Sequence, residues 1–151
     1  MSEATHAPGF TLQLMKMLAA SPADVFELLS EADQVMRWFG PHGYTATHVD
    51  LDLRVDGTYR ITMRPSEGAD FHIGGAFTQI VPAERLVFTF VYEEPGPDDV
   101  ETMVTLTLRE PADGSTELAL DQSGFATEDR RELHRQGWSD SFERLAALVA
   151  G

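Results

Sequence analysis

The stretch Leu51–Met63, "LDLRVDGTYRITM", decides how the chain folds. Leu51 and Leu53 precede an Asp-Gly turn, and Tyr59, Ile61 and Met63 follow it at every second position. Alternation of this kind is the period of a half-buried strand, and two such runs about a short Gly-containing loop make an antiparallel hairpin. A three-residue loop Val55-Asp56-Gly57, with the glycine in the left-handed position, pairs Arg54 with Thr58. Leu53 then faces Tyr59, Leu51 faces Ile61 and Val49 faces Met63, all on the core side. The opposite side places His48, Asp50 and Asp52 across from Arg64, Thr62 and Arg60.

Outward from this hairpin, strand-like runs cover 44–54, 58–64, 70–81, 85–93, 100–110 and 115–122. The separators "VDG", "PSEGAD", "PAE", "EPGPDD" and "PADG" carry turn chemistry, and connections this short imply an antiparallel meander. A further strand covers 10–20. After it, "SPADVFELLS" reads as a helix with Ser21 as N-cap and Pro22 in the first turn. A shorter helix over 31–38 ends at "FGPHG". The last helix covers 127–150, with Thr127 as N-cap and Glu128 and Asp129 complementing its dipole. The expected fold class is α+β: a curved antiparallel sheet of about seven strands around a long C-terminal helix, with two short helices after the first strand.

The inward face continues through Phe71, Ile73, Leu86, Phe88, Phe90, Tyr92, Val104, Leu106, Leu108, Leu118 and Leu120, an unusually aromatic set. Gly74 and Gly75 interrupt their strand and mark a bend or a close backbone approach. The long helix offers Leu133, Trp138, Phe142, Leu145, Leu148 and Val149, with His134 on the edge of that face. Gly137, inside "LHRQGW", is unfavourable in a helix by about 1 kcal/mol against Ala. Close packing of the helix under a strand is the first explanation; room left in a cavity is the second.

Composition sets further bounds. The chain has 151 residues, no Cys and a formal net charge of -14. Disulfides, zinc–thiolate sites and cysteine nucleophiles are excluded, and nucleic acid and anionic membranes are disfavoured as partners because both are polyanions. No basic leader or long apolar run is present, so the expected location is cytoplasmic, with residues 1–8 as a flexible tail and 9–151 as one domain. His48, Asp50 and Asp52 share a strand face as metal ligands would, but Arg60 and Arg64 opposite them favour a solvated face with an Asp52–Arg60 pair. No P-loop, zinc motif or Ser-His-Asp order stands in the sequence, so no metal or cofactor is expected.

Taken together, "SPADVFELLS", "RWFGP", "DLRVDGTYRITM", "GGAFTQIVPAERLVFTF", "TELALDQSGF" and "HRQGW" resemble one family over about residues 10–150. It is the branch of the START-like, birch-pollen-allergen-like superfamily (SRPBCC) named after the activator of the ninety-kilodalton heat-shock-protein ATPase. The resemblance implies a helix-grip domain with a cavity between sheet and C-terminal helix. Two departures stand out: Asp56-Gly57 where Gly-Gly is usual, and Gln122 where His is frequent before the "GF" pair.

The function expected first is binding of a small hydrophobic or amphipathic molecule in that cavity. Its candidate wall is Trp38, Tyr59, Ile61, Met63, Phe71, Phe88, Phe90, Leu106, Leu120, His134 and Trp138. The alternatives are a cyclase- or hydrolase-like enzyme using His134, with Tyr59 or Tyr92 as donor, and a co-chaperone-like module with a protein partner. No residue is assigned a catalytic role.

Overall fold

Ser21 and Thr127 start the two longer helices in the way their side chains dictate. Ser21 Oγ accepts from the Asp24 N–H at 3.2 Å, and Thr127 Oγ1 from the Arg130 N–H at 3.1 Å. Each cap contributes about 1 kcal/mol. A computed structural model describes residues 9–150; the tail expected over 1–8 lies outside them. Among the described residues the order is β1 (Phe10–Leu18), α1 (Pro22–Ser30), α2 (Ala32–Val35), β2 (Tyr44–Leu51), β3 (Thr58–Pro65), β4 (Phe71–Val81), β5 (Arg85–Tyr92), β6 (Thr102–Arg109), β7 (Thr116–Phe125) and α3 (Glu128–Val149).

The seven strands form one antiparallel sheet in the order β1-β7-β6-β5-β4-β3-β2. Strands β2 to β7 make the expected meander, and β1 closes the far edge against β7. The inward side chains of the sheet and the buried face of α3 share one core, in which Leu12, Val104, Leu118 and Leu145 lose all solvent contact. No helix among the described residues is long and apolar enough to cross a membrane.

The register of the β2–β3 hairpin differs from the sequence expectation by two residues. Leu51 pairs with Tyr59, Asp50 with Arg60 and Val49 with Ile61; a bulge at Thr47 then brings Ala46 opposite Met63. The loop is longer than three residues. Asp52 N–H donates to Thr58 O, Arg54 N–H to Asp52 O and Gly57 N–H to Arg54 O, so residues 52–57 turn on themselves. Asp56, not Gly57, holds the left-handed conformation, at φ 70°. Gly57 is needed for another reason: a Cβ there would lie 2.1 Å from Asp52 O. Because side chains alternate with period two, a two-residue slip keeps each to its face. Tyr59, Ile61 and Met63 are therefore buried as expected, while Leu53, left in the loop, is 39% exposed.

The slip also dissolves the Asp52–Arg60 pair. Asp52 accepts from Arg54 at 2.7 Å, and Arg60 forks onto Glu93 at 2.7 and 2.9 Å. His48 and Asp50 stand 3.0 Å apart, and Asp52 does not join them.

Strand β7 runs three residues past the expected end because Ser123 and Phe125 pair with Thr11 and Phe10 of β1. Gly75 marks a close backbone approach, since a Cβ there would sit 2.0 Å from Thr89 O on β5. On α3 the buried face carries Trp138, Phe142, Leu145 and, contrary to its expected edge position, His134. Leu133, expected inward, is 54% exposed.

Candidate functional site

The site grows from the segment after α2, where "RWFGP" ends the helix and turns the chain across α3. Ser141 Oγ on α3 accepts from the Gly40 N–H at 2.9 Å and donates to Gly137 O at 2.9 Å. Asp140 accepts from the His42 N–H at 3.1 Å, and Arg144 donates to Gly40 O at 3.3 Å. These bonds clamp residues 39–42 over the middle of α3. Pro41 thereby lies opposite Gly137, 3.9 Å from where a Cβ would stand. No strand backbone comes that near, so close helix–strand packing is not what Gly137 serves; the glycine opens space beside Pro41.

Two adjoining hollows result, sharing Phe39, Phe90 and Trp138. The inner one, about 40 Å³, is bounded by Trp38, Tyr59, Ile61, Phe88 and Leu106 besides those three. It is nearly all apolar. Trp38 Nε1 donates to Leu28 O at 2.7 Å and Tyr59 Oη to Thr89 O at 2.7 Å, so both polar tips are turned into the backbone. Burial pushes the Tyr59 phenol well above its usual range.

The outer hollow, about 230 Å³, is reached from solvent and is walled by Met63, Phe71, Ile73, Tyr92, His134 and Pro41 together with Phe39, Phe90 and Trp138. Phe39 meets Trp138 edge-on, with ring centroids 5.7 Å apart. Trp138 Nε1 donates to Gln122 Oε1 at 2.8 Å, and Gln122 Nε2 donates to Thr102 Oγ1 at 2.8 Å. Gln122, fully buried, thus takes a bridging role under the Trp138 indole.

Polar character in the outer hollow concentrates on one pair. Tyr92 Oη and His134 Nε2 stand 2.9 Å apart. Phe90, Phe125 and Tyr92 surround the imidazole, with ring centroids 5.2, 5.0 and 5.7 Å away. Burial, helped by the Arg130 guanidinium, pulls the imidazole down to about 4, so it is neutral at pH 7. Burial pushes the Tyr92 phenol up to about 12. Arg130, one helical turn before His134, lies over the Tyr92 ring at 5.8 Å and pairs with Asp99 at 2.5 Å.

Of the eleven residues expected to line the cavity, ten border one hollow or the other. Leu120 borders neither: it is packed between Leu14 and Leu106 on the neighbouring strands. Sequence reading left out Phe39, Pro41, Arg130 and Ser141. Arg130 carries a signal, its spacing of four from His134 on a helix; the loop residues carry none, because only the clamp onto α3 brings them in.

Two groups among the described residues bring metal-ligating types together: His42, Asp140 and Glu143, and His72, Glu93 and Glu94. Both are already engaged. Asp140 accepts from Gln136 and from the His42 N–H; Glu93 is held by Arg60, and Glu94 by the ring and N–H of His72.

The family model for "Activator of Hsp90 ATPase homolog 1-like protein" matches residues 19–150. Protein CV1439 from Chromobacterium violaceum is similar in structure, with a TM-score of 0.80 and 27% identity over 93% of this chain and 97% of its own. The AHSA1 protein SPO3351 from Silicibacter pomeroyi gives a TM-score of 0.77 and 27% identity, covering 93% of this chain and 98% of its own. DynU16, from the dynemicin biosynthetic locus, shares the fold at a TM-score of 0.73 and 24% identity, over 95% of this chain and 48% of its own. No curated protein matches.

Proposed function

The chain belongs to the activator of Hsp90 ATPase homolog 1-like family, and from that premise we propose that it binds a small hydrophobic or amphipathic molecule between the sheet and α3. The supporting observation is the outer hollow of about 230 Å³, open to solvent, aromatic on most of its wall and carrying one neutral polar pair. An apolar cavity of about 150 Å³ takes up benzene, so the space suits a molecule somewhat larger. A ligand that buries ~300 Å² of apolar surface gains roughly 7 kcal/mol gross. Association takes back a large share, so apolar burial alone leaves affinity weaker than micromolar, and any tighter binding needs polar contacts in addition. A cytoplasmic location belongs to the same reading, as does a lack of nucleic-acid or anionic-membrane partners, the latter on the strength of the net charge of -14.

The enzyme alternative is supported less well. A general base works best with a pKa near the working pH, and His134, pulled down to about 4, is a weak proton acceptor at pH 7. Titration with a fluorescent apolar dye, read by quenching of tryptophan emission, tests the binding reading. One saturable site per chain is expected; a folded protein whose tryptophan emission the dye leaves unchanged refutes it.

A further inference from the structure

The outer hollow offers a ligand mostly aromatic surface, and the charge of its one cationic side chain is already met by a carboxylate. Arg130 is the one arginine or lysine among its lining residues, and it is already paired with Asp99 at 2.5 Å. An anionic ligand would have to share that guanidinium with Asp99 and approach a chain of net charge -14. His134 is neutral at pH 7, so a cationic tail finds no counter-charge there and an anion no imidazolium.

The Tyr92–His134 contact has two arrangements of equal heavy-atom geometry. Tyr92 Oη donates to His134 Nε2 when the ring carries its proton on Nδ1. When Nε2 carries it, the ring donates to Tyr92 Oη, and the phenolic O–H is free to turn into the hollow. In the first arrangement a ligand hydroxyl can donate to the remaining Tyr92 lone pair; in the second a ligand carbonyl or ether can accept. The pair therefore serves one neutral oxygen of either polarity. The faces beside it, from Phe71, Phe90, Phe39 and Trp138, suit the face and edge of a flat ring.

Building on the binding reading above, we propose that Tyr92, held by His134, is the polar anchor of the hollow, and that its ligand class is an uncharged aromatic molecule presenting one hydrogen-bonding oxygen to it.

Three probes of the same ring test this: 2-naphthol, naphthalene and 2-naphthoate, titrated into the full chain and its Tyr92→Phe variant. Tyr92→Phe should cut the 2-naphthol-to-naphthalene affinity ratio by about fivefold, the size of one net hydrogen bond, whatever it does to naphthalene affinity itself. 2-Naphthoate should bind more weakly than 2-naphthol. An unchanged ratio, or 2-naphthoate as the tightest ligand, overturns the anchor and leaves the cavity reading standing. Failure of all three probes overturns both. A measurement on the unmodified chain guards against a misfolded variant: 2-naphthol should shift the imidazole nitrogen resonances of His134 further than naphthalene, whose ring-current effect on the lining His134 sets the baseline. Equal shifts from the two also overturn the anchor.

Discussion

Replacing Gly137 by Ala tests whether the space beside α3 is real. A helical Gly-to-Ala change gains up to about 1 kcal/mol from propensity. Close packing would reverse the sign, because overpacking typically destabilises by about 1–3 kcal/mol. Here the new methyl group meets Pro41 Cγ at 3.9 Å and Pro41 Cβ at 4.0 Å, ordinary van der Waals distances, so the neighbours need not move. Gly137→Ala is therefore expected to stabilise the protein by up to about 1 kcal/mol, or roughly 2–4 °C in Tm for a domain of this size. Urea melts at constant m-value give the sign. A longer side chain at the same position reaches into the hollow: Gly137→Leu should stay folded and lose dye binding. A destabilising Ala, with dye binding intact in every folded variant, would refute the placement of the hollow beside His134 and Trp138.

Trp138→Ala should destabilise by about 3–5 kcal/mol in urea melts, since it removes a large core side chain and orphans Gln122 Oε1; a loss below about 1 kcal/mol would mean that α3 packs by another face. His134 gives a pH signature. Its folded pKa of about 4 lies below the 6.5 of an ordinary exposed imidazole, so the unfolded chain binds the extra proton between those values and stability falls as pH drops through the window. Between pH 7 and pH 4 the wild type should lose about 3 kcal/mol more than His134→Leu, the difference levelling off about one unit below pH 4; parallel curves for the two proteins would contradict the buried neutral imidazole. Asp50 and Asp52 should bind no divalent metal. The Tm response to zinc or manganese should be the same in wild type and Asp50→Asn, and a response that vanishes in the variant would reinstate the strand-face site.

Local chemistry decided much of this protein in advance. Ser21 and Thr127 cap helices because their oxygens satisfy first-turn N–H groups, and that depends on neighbours three residues away. The alternation through Tyr59, Ile61 and Met63 assigned the buried face of the sheet, because a two-residue period survives even a two-residue error in register. The register itself was not legible. It depends on how residues 52–57 fold back and on Asp56 N–H reaching Phe77 O, a contact across more than twenty residues.

The site divides along the same line. That aromatic side chains would wall the space between sheet and α3 follows from their spacing alone. Which of them border it, and why Leu120 does not, depends on strand pairing. His134 looked like an edge residue on a helical wheel. It is buried because Phe90, Tyr92 and Phe125 close over it from two strands, and no helical periodicity contains them. The space beside Gly137 exists because Ser141, Asp140 and Arg144 clamp residues 39–42 across the helix at a fixed height. Sequence determines patterns that repeat within a few residues; a cavity is the gap between elements about 100 residues apart in the chain, and only their tertiary packing sets its width.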